Sequence, residues 1–343
     1  MFMLRKLIFI VLILSLSSLL TICFIPIQKV PKPEKPINIT FTGDVMLGRG
    51  VDSVLHENPQ PFKYILNITN NTDLTIINLE SPVTYSNNQS EKLVTFKADP
   101  QFIKFLKEGG VDVACLANNH IMDYGMSGLN DTMKNLKNNG IMYVGVGSNI
   151  QEAYKPLIVN IKGKKIAIIE ASEFVDEYSQ PATKNRPGFA PISWDHIKSA
   201  IHQAKIMGAN YIICEFHYGN EYHRIPNEFQ RMISHKCIDE GAFMVIGHHP
   251  HVVESIEKYK GHLIFYSLGN CVFDQQNPET KKSMIIVVTI KNTSTTVHIY
   301  PIKIVNCYPQ PMDAEEAKIF LKELESYSNI KIKYENGIGI INN

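Results

Sequence analysis

The sequence predicts a layered α/β fold, and three observations carry that prediction. Short apolar, β-branched runs alternate with amphipathic helical stretches from Ile37 onward. Side chains able to ligate metals recur just after those runs, where open α/β sheets build their sites. No repeat or low-complexity tract interrupts the pattern.

The expected strands are Ile37 to Thr42, Leu74 to Asn78, Val111 to Leu116, Met142 to Val144, Ile166 to Glu170, Tyr211 to Phe216, Phe243 to Ile246 and Leu263 to Ser267. The expected helices are Pro100 to Glu108, Ser127 to Asn138, Ser193 to Met207 and Asn227 to Glu240. Asp99 and Ser193 are natural N-caps, because a short side-chain oxygen can satisfy an orphan backbone N–H of the first turn. Ser283 to Ile290 and Thr295 to Ile304 read as a late β pair joined by Lys291-Asn292-Thr293-Ser294. Asp313, with Glu316 three residues on, predicts a capped helix to about Ser326, followed by a weak strand ending near Ile341.

The 343 residues carry 34 Lys+Arg against 33 Asp+Glu, so no basic field advertises a nucleic-acid partner and no acidic excess argues for disorder. Arg5 and Lys6 precede an uncharged run from Leu7 to Ile27, long enough to cross a bilayer. Positive charge before the run places the N-terminus in the cytoplasm and the rest outside. A cleaved signal peptide competes with this anchor, but no A-x-A-like site follows the run. A lipoprotein site at Cys23 is disfavoured by bulky Ile22. Residues 28–36 combine three prolines with three lysines and read as a solvated linker. The expected organisation is therefore an anchor over 1–27, a linker over 28–36, a main domain over 37–306 and a helix-strand appendage over 307–343.

Six cysteines, Cys23, Cys115, Cys214, Cys237, Cys271 and Cys307, lack C-x-x-C spacing, which argues against a zinc knuckle and for buried thiols.

Five expected strands end in candidate ligands. Asp44 follows the first and Glu80 the second. Asn118, Asn119 and His120 follow the third, with Asp123 close behind. His217 follows Phe216, and His248, His249 and His251 follow the run ending at Ile246. A single Asp could cap a turn, and a lone His is commonly a hydrogen-bonded core group. Five such strand ends in one chain instead predict a metal site. Carboxylate, amide and imidazole donors suit divalent Mn, Zn or Fe and offer no thiolate cage. Two such ions carry about +4 against −2 from Asp44 and Glu80, and the residue of about +2 would attract an anion.

The segments TFTGDVMLGRGV, NLESPV, LANNHIMDYG, FHYGNEYH, VIGHHPHVVE and YSLGNCVFDQ follow the order of successive motifs in CapA-type proteins of poly-γ-glutamate capsule synthesis. From Ile37 to Ile341 the chain resembles that family, which shares the calcineurin-like metallophosphoesterase fold. The resemblance implies a four-layer αββα sandwich, here behind an N-terminal transmembrane helix. It implies that Asp44 and His251 hold one metal, that Glu80 bridges, and that Asn119, His217 and His249 hold the second. His120 would be the acid beside the leaving group. Arg49, Asn78, Asn118, Asp123, Glu221, Tyr222, His248, Asn270, Asp274 and Gln275 would contact substrate or support the ligands. The wider superfamily begins with Asp-x-His and usually bridges with Asp. Met46 and Glu80 stand in those places, which predicts a weaker first metal. Tyr218 and Cys271 stand where Trp and Phe are common, as packing changes.

Two functions follow as expectations. One is a metal-dependent hydrolase of a phosphate ester or polymer linkage; the other is a non-catalytic partner that holds an anionic, poly-γ-glutamate-like polymer during assembly or export at the membrane, beside capsule synthase subunits. An exported nucleotidase or phosphodiesterase is a third reading permitted by the fold.

Overall fold

The computed structural model describes residues 35–343 apart from Glu177 and Thr293. The expected membrane span and most of the linker lie outside the described residues, as does Cys23. Among the described residues no helix is long and apolar enough to cross a membrane. Lys35–Asn343 form one compact unit.

In chain order, β1 (Ile37–Val45), β2 (Leu74–Leu79), β3 (Val113–Cys115) and β4 (Met142–Val144) lie parallel, side by side. β5 (Val146–Gly147) will pair with a later short strand. β6 (Leu157–Ile161) and β7 (Lys164–Ser172) open a second sheet, and β8 (Gly188–Phe189) pairs with β5. β9 (Tyr211–His217), β10 (Met244–His248), β11 (Ile256–Tyr259) and β12 (His262–Phe265) complete that sheet in the order β11-β12-β10-β9-β7-β6. β13 (Asn270–Val272) returns beside β1, and β14 (Lys282–Lys291) pairs antiparallel with β1. β15 (Ser294–Val305), β16 (Tyr308–Pro311), β17 (Lys333–Glu335) and β18 (Ile338–Asn342) extend the first sheet to ten strands.

Alternation along the strands explains the layering, since successive side chains point to opposite faces. In β7, Ile166 and Ile168 join a core shared by both sheets, while Ala167, Ile169 and Ala171 face helices Trp194–Ile206 and Glu228–Asp239. On the other side of the first sheet, Ile77, Leu79 and Ala114 pack against helices Arg49–Glu57, Ile103–Glu108 and Gly125–Asn138. Both faces of the central strands are thus covered, which is why they read as continuous apolar runs. The C-terminal helix Ala314–Ser326 adds Phe320, Leu321 and Leu324 to the shared core.

The capping box of Asp313 and Glu316 forms as expected, and Asp99 accepts from Gln101 N–H. Ser193 does not cap: its hydroxyl meets His196 Nδ1 at 3.0 Å. The expected strand Val111 to Leu116 shrinks to Val113–Cys115: Val111 N–H closes the turn after the preceding helix on Leu106 O, and Leu116 N–H is shared between a carboxylate and Val144 O. The five described cysteines are free thiols, four of them buried.

Candidate metal centre

The site forms at the polar end of the core shared by the two sheets. Ile76, Ile168, Ile213 and Ile246 point into that core, so Asn78, Glu170, Glu215 with His217, and His248 follow on the same face by period two. Asp44 would fall on the opposite face if β1 kept the phase of Ile39 and Phe41. The ladder with β2 shifts register between Phe41 and Asp44, and this irregularity re-aims the carboxylate. Gly43 permits it: a Cβ there would lie 2.0 Å from the carbonyl oxygen of Gly269, which accepts Asp44 N–H at 2.9 Å.

Glu80, His217 and His249 form one group whose ligand atoms all lie within 4.8 Å of one another, and Asp44, Glu80 and His251 form a second. Glu80 belongs to both. Its carboxylate is buried, and among the described residues neither oxygen has a hydrogen-bond partner. Its Oε1 stands 3.8 Å from His217 Nε2 and 4.0 Å from His120 Nε2 and His251 Nε2. Burial pushes its pKa up to about 8, against the pull of His251. A buried carboxylate left without donors is costly unless a cation completes it, so the residues present fit divalent ions. His249 Nδ1 is likewise buried and unpartnered. Asn119 Oδ1, 2.9 Å from His217 Nε2, adds an amide oxygen to the first group.

Burial lowers the pKa of His217 and His249 well below the usual imidazole range, leaving neutral rings with lone pairs suited to a cation. His251 behaves oppositely. Burial opposes its charge, but Glu80 and Asp44 override that and raise it to about 9. Burial would also raise Asp44, yet hydrogen bonds from His248 and His251 hold it well below the carboxylate range. His249 and His251 carry left-handed backbone, φ 98° and 59°, flanking Pro250. Such strain in non-glycine residues is characteristic of functional turns.

The supporting residues converge as well. Asn78 Nδ2 donates to Asp44 Oδ1 at 2.8 Å and faces His217 Nδ1 at 3.3 Å. Asn118 donates to Asn78 Oδ1 and to Leu79 O, and its own Oδ1 accepts His120 N–H. His120 Nδ1 lies 2.6 Å from Asp123 Oδ2, and burial nevertheless lowers its pKa to about 4. Asn270 Oδ1 meets His251 Nδ1 at 2.9 Å, and Asn270 Nδ2 donates to Gln275 Oε1. Arg49 pairs with Asp274 and lies over the Phe96 ring, 4.4 Å to its centroid. Tyr222 is half exposed at the rim, 6.3 Å from the His251 ring, and Glu221 is exposed beside it. Met46 turns away from the ligands: its sulfur accepts Gly48 N–H at 3.0 Å inside the core.

Other contributors carry no ligand motif. Lys92 donates to Asn119 O at 2.6 Å and pairs with Asp123; Phe96 stacks on His120 at 3.6 Å; Phe174 packs on His249 at 3.9 Å. Glu170 accepts Leu116 N–H at 2.7 Å and thereby secures the loop bearing Asn118 to His120. Glu215 meets His248 Nε2 at 3.1 Å. Each of these glutamates stands alone in an apolar strand, IAIIEAS and YIICEFH, a signal that would have flagged them.

The family described as bacterial capsule synthesis protein PGA_cap matches residues 38–275. The chain is 34% identical over 309 residues to the PGA biosynthesis protein CapA of Bacillus subtilis (strain 168), covering 88% of this chain and 81% of that one. It is 31% identical to the capsule biosynthesis protein CapA of Bacillus anthracis, covering 82% and 71%. A crystal structure of a putative 5′-nucleotidase from Staphylococcus aureus shares the fold at TM-score 0.50 and 14% identity, covering 85% of this chain and 58% of that one. The fold and site define a mixed α/β protein of several sheets that shares the fold of that nucleotidase and gathers two buried groups of residues able to hold a metal. Within that class, the chain belongs to the bacterial capsule synthesis family PGA_cap.

Proposed function

We propose that this protein is a dinuclear-metal-dependent hydrolase of phosphoesterase type, built as an αββα sandwich, that serves assembly or export of a poly-γ-glutamate-like capsule polymer. It works on the outer face of the membrane, anchored by residues 7–27, beside the polymer synthase, and acts on a phosphate ester or a linkage of the anionic polymer. The observation that carries this reading is Glu80, buried, without hydrogen-bond partners, and shared by both ligand groups.

Asn119, His217 and His249 would hold one ion, Asp44 and His251 the other, and Glu80 would bridge. When bound, Mn, Zn or Fe ions lower the pKa of water and polarise a phosphoryl oxygen. The chain's own groups then orient and protonate. His120 commits Nδ1 to Asp123, so its neutral ring turns the Nε2 lone pair toward Glu80 and the site. An arriving anion raises the affinity of that nitrogen for a proton, which it takes from solvent and then passes to the leaving oxygen. Phe96 and Phe174 exclude water from the imidazoles they cover.

The test is metal content and phosphodiester turnover of the full chain beside Glu80→Gln and His249→Ala. Two ions per chain with turnover lost in both variants supports the hydrolase; a metal-free, inactive wild type defeats it. The packing of Met46 into the core favours a second reading, a polyanion-holding scaffold with an incomplete first site. Polymer export retained in folded Glu80→Gln and His217→Ala variants would favour the scaffold.

A further inference from the structure

His248 belongs to neither ligand group, yet it stands between two buried carboxylates. Its Nδ1 lies 3.1 Å from Asp44 Oδ1 and its Nε2 3.1 Å from Glu215 Oε2. Asp44 Oδ1 also accepts Asn78 Nδ2 at 2.8 Å, so two donors converge on that one oxygen. Asp44 Oδ2 faces the ligand turn instead, 3.6 Å from His251 Nδ1 and 3.3 Å from His249 N–H.

An ionised carboxylate oxygen can only accept, so the hydrogen between His248 and Asp44 resides on Nδ1. The second nitrogen is then held by Glu215, and an imidazole fixed at both ends has no freedom to rotate. Glu215 has no other hydrogen-bonded role among the described residues: its Oε1 is buried without a partner.

We infer that His248, clamped by Glu215, is a positioning residue that occupies Asp44 Oδ1 and so presents Oδ2 to the first metal. The inference rests on the dinuclear reading above and deepens it, since it names which oxygen of Asp44 binds and what selects it.

Two conservative variants separate orientation from packing. His248→Asn carries an amide nitrogen where Nδ1 stands and keeps the donor to Asp44; His248→Gln carries one where Nε2 stands and keeps only the Glu215 end. Calorimetric titration of the metal-free full chain with Mn²⁺ is expected to show two sites in the wild type. In the Gln variant one site weakens by about 10- to 100-fold and the other is unchanged, while the Asn variant binds like the wild type. In the metal-free wild type, the ¹⁵N shift of His248 Nδ1 is expected to be that of a protonated nitrogen.

A two-site wild type with an unaffected Gln variant overturns this inference alone. Equal weakening in both variants, loss at both sites, or an unprotonated Nδ1 overturns it too. A wild type that binds no metal overturns the dinuclear reading, and this inference with it.

Discussion

The amide oxygen of Asn119 lies 2.9 Å from Nε2 of His217, so a loop of the first sheet and a strand end of the second meet at one point. Replacing His217 with Ala removes the imidazole on which that junction depends. The variant is expected to retain one metal ion where the wild type retains two, and to lose about 100-fold in phosphodiester turnover. Elemental analysis of the dialysed protein and an initial-rate assay check both.

Glu80→Gln is expected to act in opposite directions on stability and on binding. Glu80 ionises only above about pH 8, where its buried charge has no donors, so above that pH the metal-free variant should melt higher than the metal-free wild type, by about 2 °C for about 1 kcal/mol. Added Mn²⁺ should raise the wild-type midpoint and leave the variant's unchanged, because only a bound ion stabilises the folded state. Calorimetric scans with chelator and with metal give both comparisons. A variant that melts lower without metal above that pH would contradict the first expectation.

The stability contributed by the buried acids should fall as pH rises toward 8, and above the ordinary histidine value of 6.5 the lowered imidazoles no longer oppose it. Glu254 is pushed up to about 8 by burial, which outweighs its hydrogen bond from Gln230 Nε2 at 2.6 Å. The ordinary carboxyl value is 4.5, so between that pH and about 8 the folded chain holds a proton that the unfolded chain has released. Stability linked to this group is complete below the unfolded value and is lost as pH climbs through the folded one, with a slope of up to about 1.4 kcal/mol per pH unit. Glu170 is raised to about 8 by burial and adds in the same direction. Glu254→Gln should flatten the profile of midpoint against pH measured in chelator; an unchanged slope would show that Glu254 does not titrate in this window.

Gly43→Ala should destabilise the fold by about 1–3 kcal/mol, because its Cβ would press on the Gly269 carbonyl oxygen and push β1 from β13. Metal affinity should fall with it, since Asp44 is the next residue. Urea unfolding and metal titration are the measurements. Stability lost with affinity retained would mean that Asp44 finds its place without that close approach.

The strand ends were legible in the sequence because parallel strands buried on both faces read as apolar runs, and a polar residue at such an end stands out. Asp44, Glu80, His217 and the Gly-His-His-Pro-His turn were visible for this reason. The register shift that re-aims Asp44 had a single signal, Gly43 within the strand, which admits a bulge or a close approach without saying where the side-chain phase changes. Helix Arg49–Glu57 gives a weak signal: it opens on Arg49 and Gly50, poor residues for a start, and only Val51 and Leu55 are buried, with Val54 half-buried beside them. Strands Leu157–Ile161 and Ile256–Tyr259 are the two edge strands of the second sheet; the first is apolar on both faces and the second only four residues long, so neither shows clear alternation. Glu170 and Glu215 carried one signal, an acidic residue inside an apolar run, but that signal does not say what they do. They sit inside the most apolar strands, and their function emerges only when the neighbouring sheet supplies Leu116 and His248 as partners.

No contiguous stretch of this chain carries a complete ligand set. Asp44, Glu80 and Asn119 come from the first sheet, and His217, His249 and His251 from the second. An ion at this centre would act as a rivet through two plates, gripping only after both have been brought together. Metal uptake would then be the closing event of folding, and its rate would report how quickly the two sheets find each other.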